Sequence, residues 1–160
     1  MAGYVSKVTL TRTADTNAYT AGDIVGSATG STAALTFNDI GPVTPREIMI
    51  TTTSLLIRDT GVISGETSYR LYLYGITPPS ASGDNAAWDL PSGDRASLLG
   101  YVDLGTPVDL GSTLYVLTAQ QNVQISAQGK DVYGYLVTNG GYTPTSARVY
   151  EITLHAVDMA

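Results

Sequence analysis

The chain has no cysteine, and only one histidine, one tryptophan and one phenylalanine in 160 residues. Without thiols neither a disulfide framework nor a thiolate metal site can form, which fits synthesis in a reducing cytoplasm. Zinc would be left with His155 and carboxylates, a poor donor set for that ion. Charge is also scarce: Asp, Glu, Lys and Arg make up 14% of the residues, against about 25% in ordinary globular chains. Helix surfaces are normally built from these residues, so their scarcity argues against helices. The charge that is present is one-sided, 14 acidic residues against 8 basic ones, for a formal net charge of −6. Such a chain is repelled by phosphate backbones and by anionic bilayers, so neither nucleic acid nor membrane is an expected partner. No apolar run approaches the length that spans a bilayer, and the opening MAGYVSKVTLTR lacks the apolar stretch of a signal peptide.

In place of these, the chain has Thr, 17 glycines and 11 tyrosines. Its length suits one domain, residues 1–160, able to bury roughly two thirds of its unfolded surface around a single core. Alternating side chains predict strands at Tyr4–Arg12, Asp23–Gly26, Ala33–Phe37, Arg46–Asp59, Ser68–Gly75, Leu98–Leu104, Leu114–Thr118 and Asn122–Gln128. The last segment, DVYGYLVTNGGYTPTSARVYEITLHAV from Asp131 to Val157, reads as a terminal β-hairpin. In it Val132, Gly134 and Leu136 share one face and Tyr133, Tyr135 and Val137 the other, while Tyr150, Ile152, Leu154 and Ala156 line the return strand. About nine or ten strands with no helical period between them predict an all-β, antiparallel β-sandwich. Long, patterned first and last strands favour the jelly roll over the immunoglobulin-like sandwich, which uses fewer strands and keeps its Trp on a core strand. A long irregular loop, residues 76–97, carries three of the seven prolines and Trp88. Connections of that length are usually functional or disordered.

The residues offer little chemistry. His155 lies among Glu151 and Thr153 on the terminal strand and reads as a surface or rim histidine rather than part of a triad. Asp84, Asn85, Asp89 and Asp94 could gather oxygen ligands as a weak calcium candidate, although their spacing matches no EF-hand loop and glycine-flanked aspartates ordinarily form turns. A glycosidase-like pair of these carboxylates has nothing to set its separation. The glycines of Gly22–Gly26 match no phosphate-loop spacing. Trp88 is either a partner-binding anchor or a side chain buried on its own domain. Tyr69, Tyr72, Tyr74, Tyr133, Tyr135 and Tyr150 read first as strand packing and only second as a sugar-binding face. The expectation is a protein with no catalytic residues, no cofactor and no resident metal.

Two phrases carry a family resemblance. The early TRTADTNAYTAGDIVG, with Asp15, Thr16, Ala18, Tyr19, Ala21, Gly22, Asp23 and Gly26, and the terminal YGYLVTNGGYTPTSARVYEITL, from Tyr133 to Leu154, together resemble the cement, or decoration, proteins of tailed-phage capsids. The resemblance implies a jelly-roll module, made in the host cytoplasm, that sits on the capsid exterior and bridges major capsid protein subunits, with no enzymatic activity. It implies as partners the major capsid protein and copies of the chain itself, as dimer or trimer. The contact candidates are Trp88, Asp89 and Arg95 in the long loop, Tyr142 in the Asn139–Ser146 turn, and the Gly26–Thr32 segment. A tail-associated or carbohydrate- and receptor-binding module is the alternative, since jelly rolls also serve that purpose.

Overall fold

The computed structural model describes residues 1–29 and 32–159. Its ten strands are β1 (Gly3–Thr11), β2 (Ile24–Val25), β3 (Leu35–Phe37), β4 (Arg46–Arg58), β5 (Tyr69–Tyr74), β6 (Leu98–Gly105), β7 (Val108–Asp109), β8 (Leu114–Ala127), β9 (Val132–Thr138) and β10 (Val149–Asp158). No helix interrupts them among the described residues. They form two antiparallel sheets, ordered β1-β10-β4-β8-β7 and β2-β9-β5-β6, with β3 pairing β9 beside β2. The pairs β1·β10, β2·β9, β4·β8 and β5·β6 are nested one inside the next along the chain. A long hairpin rolled into two sheets produces that nesting, and it is the jelly roll.

One half of the alternation in each sheet fills the space between them. Leu10, Ile48, Ile50, Leu55, Ile57, Tyr150, Ile152 and Leu154 from the first sheet meet Phe37, Leu71, Leu73, Val102, Leu104, Val132 and Leu136 from the second. Period-2 patterning places apolar groups on one face at no backbone cost, so this core follows directly from strand chemistry.

Two expectations are corrected. The segment from Asp131 to Val157 is not a hairpin: β9 pairs β2, β3 and β5, while β10 pairs β1 and β4 in the opposite sheet. Alternation marks each strand but not its partner, and the Gly- and Pro-containing connection crosses between sheets instead of turning back. The predicted strands Leu114–Thr118 and Asn122–Gln128 are one strand, β8. It bulges where Gln120 and Asn122 take φ of 59° and 49°, between the pairs Thr52↔Ala119 and Ile50↔Val123. The 76–97 segment is the irregular loop expected between β5 and β6, and it packs over the outer face of the second sheet to make a second, smaller core.

Candidate functional site

The largest concentration of chemistry-bearing side chains lies where the turns at one end of the sandwich meet. Arg12 ends the first strand's ladder, its N–H donating to the Arg148 carbonyl over 3.0 Å, and its guanidinium is fully enclosed. It donates from Nε to the Tyr19 hydroxyl (3.0 Å) and from Nη2 to Asp15 Oδ1 (2.8 Å) and Asp84 Oδ2 (3.2 Å), with a further contact from Nη1 to the Asp15 carbonyl. Asp84 is equally enclosed and accepts from Thr13 Oγ1 (2.8 Å), the Tyr19 hydroxyl (2.5 Å) and the Gly26 N–H (2.8 Å). A buried carboxylate is tolerable only when its lone pairs are occupied in this way.

A second buried ion pair stands next to the first. Arg148 grips Glu66 with both terminal nitrogens, at 2.8 and 3.0 Å, and its Nε lies 2.8 Å from Asp59 Oδ2. The Tyr69 hydroxyl donates to Glu66 Oε1 over 2.5 Å and lies 2.8 Å from the Tyr142 hydroxyl, which lies 2.9 Å from that of Tyr150. A phenol has one proton, so the chain is satisfied when Tyr150 donates to Tyr142, Tyr142 to Tyr69 and Tyr69 to Glu66. Tyr19 joins the two networks: its ring sits 5.3 Å from that of Tyr142, and its N–H donates to the Tyr142 carbonyl over 2.8 Å. Glycine allows the turns to close over them. A Cβ at Gly65, where φ is +90°, would lie 2.1 Å from the Gly141 oxygen, and one at Gly140 would lie 2.3 Å from the Gly65 oxygen.

Electrostatics follow from this enclosure. Burial pushes the phenols of Tyr19, Tyr69 and Tyr142 well above the ordinary tyrosine range and raises that of Tyr150, with neighbouring Asp84 adding to the rise at Tyr19. At Arg12 and Arg148 burial opposes the charge, but the hydrogen bonds to Tyr19 and Asp15 in one case and to Glu66 in the other outweigh it, so both stay firmly protonated. Asp15, at the exposed rim, is held down to about 2 by the Asn17 N–H and then by Arg12. These groups neutralise one another. Among the described residues no carboxylate or histidine cluster is arranged to hold a metal ion, and no pocket indents the surface.

The structure separates the sequence candidates. Asp84 belongs to the Arg12 network and Asp94 is buried at a turn, accepting the Ser80 N–H over 3.0 Å, while Asp89 is exposed and accepts the Leu90 N–H over 2.8 Å. The three carboxylates therefore do not converge as calcium ligands. Trp88 is no displayed anchor: its ring stacks on Tyr72 at 3.6 Å and 9°, and its Nε1–H donates to the Tyr74 hydroxyl over 3.1 Å. The segment carrying it is pinned along β2 by hydrogen bonds from Ile24 N–H to the Ala86 carbonyl and from Trp88 N–H to the Gly22 carbonyl. Tyr142 is buried in the polar network and so is withdrawn from any partner. Arg95 and Asp89 remain exposed. Of the Gly26–Thr32 segment, Gly30 and Ser31 lie outside the described residues. His155 is half-buried on β10, opposite Val5 on one side and Thr52 on the other. The tyrosines considered as a sugar face divide, Tyr69 and Tyr150 going to the network, and Tyr72, Tyr74, Tyr133 and Tyr135 lying under or against the 76–97 segment. Sequence reasoning missed Arg12, Glu66 and Arg148 altogether. The available signal was three charges set beside turn residues in a chain otherwise poor in charge.

No family model matches the sequence, and no curated protein is recognisably similar to it. Among solved structures the fold is similar to a chain of the acid-stable capsid of Helicobacter pylori bacteriophage KHP30, at 11% identity and a TM-score of 0.37, covering 98% of this chain and 87% of that one. A chain of the capsid of Ralstonia phage GP4 is similar at 14% identity and a TM-score of 0.41, covering 99% and 84%. The K3 adhesin domain of Lys-gingipain from Porphyromonas gingivalis is similar at 10% identity and a TM-score of 0.33, covering 85% and 71%. Likenesses this distant say nothing about a site or a role.

Proposed function

We propose that the chain is a structural protein of a phage particle, a decoration module that binds the outside of the assembled capsid and bridges major capsid subunits. The observation that carries this reading is the meeting of the two phrases on which the resemblance to cement proteins rests. Tyr19, from the early phrase, packs on Tyr142, from the terminal one, and Gly22 N–H donates to the Thr138 carbonyl while Thr138 N–H donates to the Asp23 carbonyl, at 2.8 and 3.0 Å. The signature is thus a structural device that locks the ends of a small sandwich. It gives a reason for a motif that contains no catalyst.

The reading assigns the protein no catalysis, since the buried titratable groups are committed to one another. An acidic surface suits the exterior of a DNA-filled shell better than its interior. Many copies on a symmetric lattice would sum modest contacts into substantial stabilisation, so no single deep interface is required. Contacts with the major capsid protein fall in this reading to the exposed residues of the candidate loops, Asp89 and Arg95 and the outer positions of the Asn139–Ser146 turn. The test is addition of the purified protein to particles made from the same genome with this coding sequence deleted. Saturable co-sedimentation and release of DNA at a higher temperature are expected; a protein that stays in the supernatant at every concentration overturns the proposal.

A further inference from the structure

Asn139 is the one asparagine of the chain that precedes a glycine; the others are followed by Ala18, Asp39, Ala86 and Val123. An Asn-Gly step is prone to amide loss, because glycine has no side chain to keep its backbone nitrogen from reaching the asparagine Cγ. Here the step lies just past the end of β9, and Asn139 is exposed to water.

The closed turn holds the two reacting groups apart. Gly140 N–H is directed to Thr138 Oγ1 at 3.2 Å, and the Asn139 side-chain amide donates from Nδ2 to Ser68 Oγ at 2.9 Å. The Asn139 backbone N–H donates to the Ser68 carbonyl, also at 2.9 Å. The surrounding backbone leaves no slack. A Cβ at Gly140 would lie 2.6 Å from Thr67 Oγ1 as well as against the Gly65 oxygen, and one at Gly141 would lie 3.2 Å from the Tyr19 carbonyl oxygen. On the β9 side, Thr138 is bonded through both its N–H and its carbonyl to the Gly22–Asp23 turn.

We propose that Asn139 is a succinimide-forming modification site gated by this turn, and that its isoaspartyl product cannot close the turn again. When the turn opens, the Gly140 nitrogen attacks Asn139 Cγ and a C–N bond forms. The amide nitrogen leaves as ammonia, carrying the proton that Gly140 gives up. Water, the only co-reactant, then opens the ring. Opening at the side-chain carbonyl gives aspartate with the original main chain; opening at the backbone carbonyl gives isoaspartate, whose main chain runs through Cβ and Cγ and is one atom longer. That atom enters between the Ser68 and Gly65 contacts, where the backbones already touch, and pushes the chain leading to Tyr142 out of register with Tyr19. Isoaspartate formation is thus an irreversible record of opening. The inference rests on this turn and not on the shell reading, so either can fail alone.

The experiment is ageing of the purified full chain in mildly alkaline buffer, folded and in urea, at one temperature below the melt of every variant. Peptide mass spectrometry reads the amide-to-acid mass gain, and isoaspartyl methyltransferase reads the rearranged product. Conversion at Asn139 is expected to be at least about tenfold slower in the folded chain than in urea, since only the open turn reacts. Ser68→Ala frees the side-chain amide and should speed conversion of the folded chain about threefold. The isoaspartyl fraction should melt below the unaged protein, whereas Asn139→Asp, which adds the charge without the extra atom, should melt with the wild type. A folded chain that converts as fast as the unfolded one overturns the proposal, as does an unfolded chain that does not convert. So does a Ser68→Ala chain that ages no faster than the wild type, or an isoaspartyl fraction that melts with the unaged protein.

Discussion

Tyr19 donates its backbone N–H to the Tyr142 carbonyl over 2.8 Å and sets its ring 5.3 Å from that of Tyr142, tying the first turn of the chain to the last. Each phenol then reaches a different buried ion pair, Tyr19 touching Arg12 and Asp84, and Tyr142 connecting through Tyr69 to Glu66. Two charge pairs that would be costly apart are thereby parts of one connected network.

Breaking that network from one side should be severe. Arg148→Met strands the Glu66 carboxylate, whose side chain has no exposure, and is expected to cost about 3–5 kcal/mol. Adding Glu66→Gln should return part of the loss, because the uncompensated charge is then gone. Urea titrations of the two variants measure the difference.

The alkaline limb of stability should be steep. Tyr19, Tyr69, Tyr142 and Tyr150 have raised values in the folded chain, so their stabilising effect is complete below pH 10 and is lost as pH rises above it, when the unfolded chain ionises and the folded one cannot. Each contributes a loss of about 1.4 kcal/mol per pH unit over that range. Absorbance at the phenolate band should show these four of the 11 tyrosines titrating only together with loss of the fold.

The acid limb has the opposite sign. Asp15 is held at about 2, and Glu151 is lowered by hydrogen bonds from Lys7 and Arg58, so what they add is present above the ordinary carboxylate range and disappears as pH falls through their folded values. Melting temperature should therefore hold from neutrality down to about pH 5 and decline below about pH 4. Asp15→Asn should flatten that decline, as followed by circular dichroism.

Trp88 reports on the covering segment. Trp88→Ala removes a ring stacked at 3.6 Å on Tyr72 and should destabilise by about 2 kcal/mol, less than a fully buried Trp because its rim is wet. Trp88→Phe keeps the stack and loses the bond to Tyr74, for about 1 kcal/mol. Protease susceptibility should rise between residues 76 and 97 in the Ala variant before the rest of the chain is cut.

The strands of this protein were largely legible one at a time. Tyr4–Arg12, Arg46–Asp59 and Ser68–Gly75 emerge within a residue or two as β1, β4 and β5, because alternation and β-branched content are local properties. The candidate site was much less legible. Trp88, Tyr142 and Asp84 look like exposed loop residues in a Gly- and Pro-rich context, yet all three are taken up by contacts with residues far along the chain. Local composition describes the neighbours in sequence and not the sheet or ion pair that folds over them.

By itself the sequence determined an all-β chain: too little charge for helices, no thiols for staples, and period-2 apolar patterning enough for a core. Only the tertiary structure decided that β9 and β10, consecutive and joined by a short connection, belong to opposite sheets. It likewise decided that Arg12, Glu66 and Arg148 are interior. Strand identity is written in the spacing of neighbouring side chains. Partner choice and burial depend on which distant surfaces remain to be covered once the chain has closed.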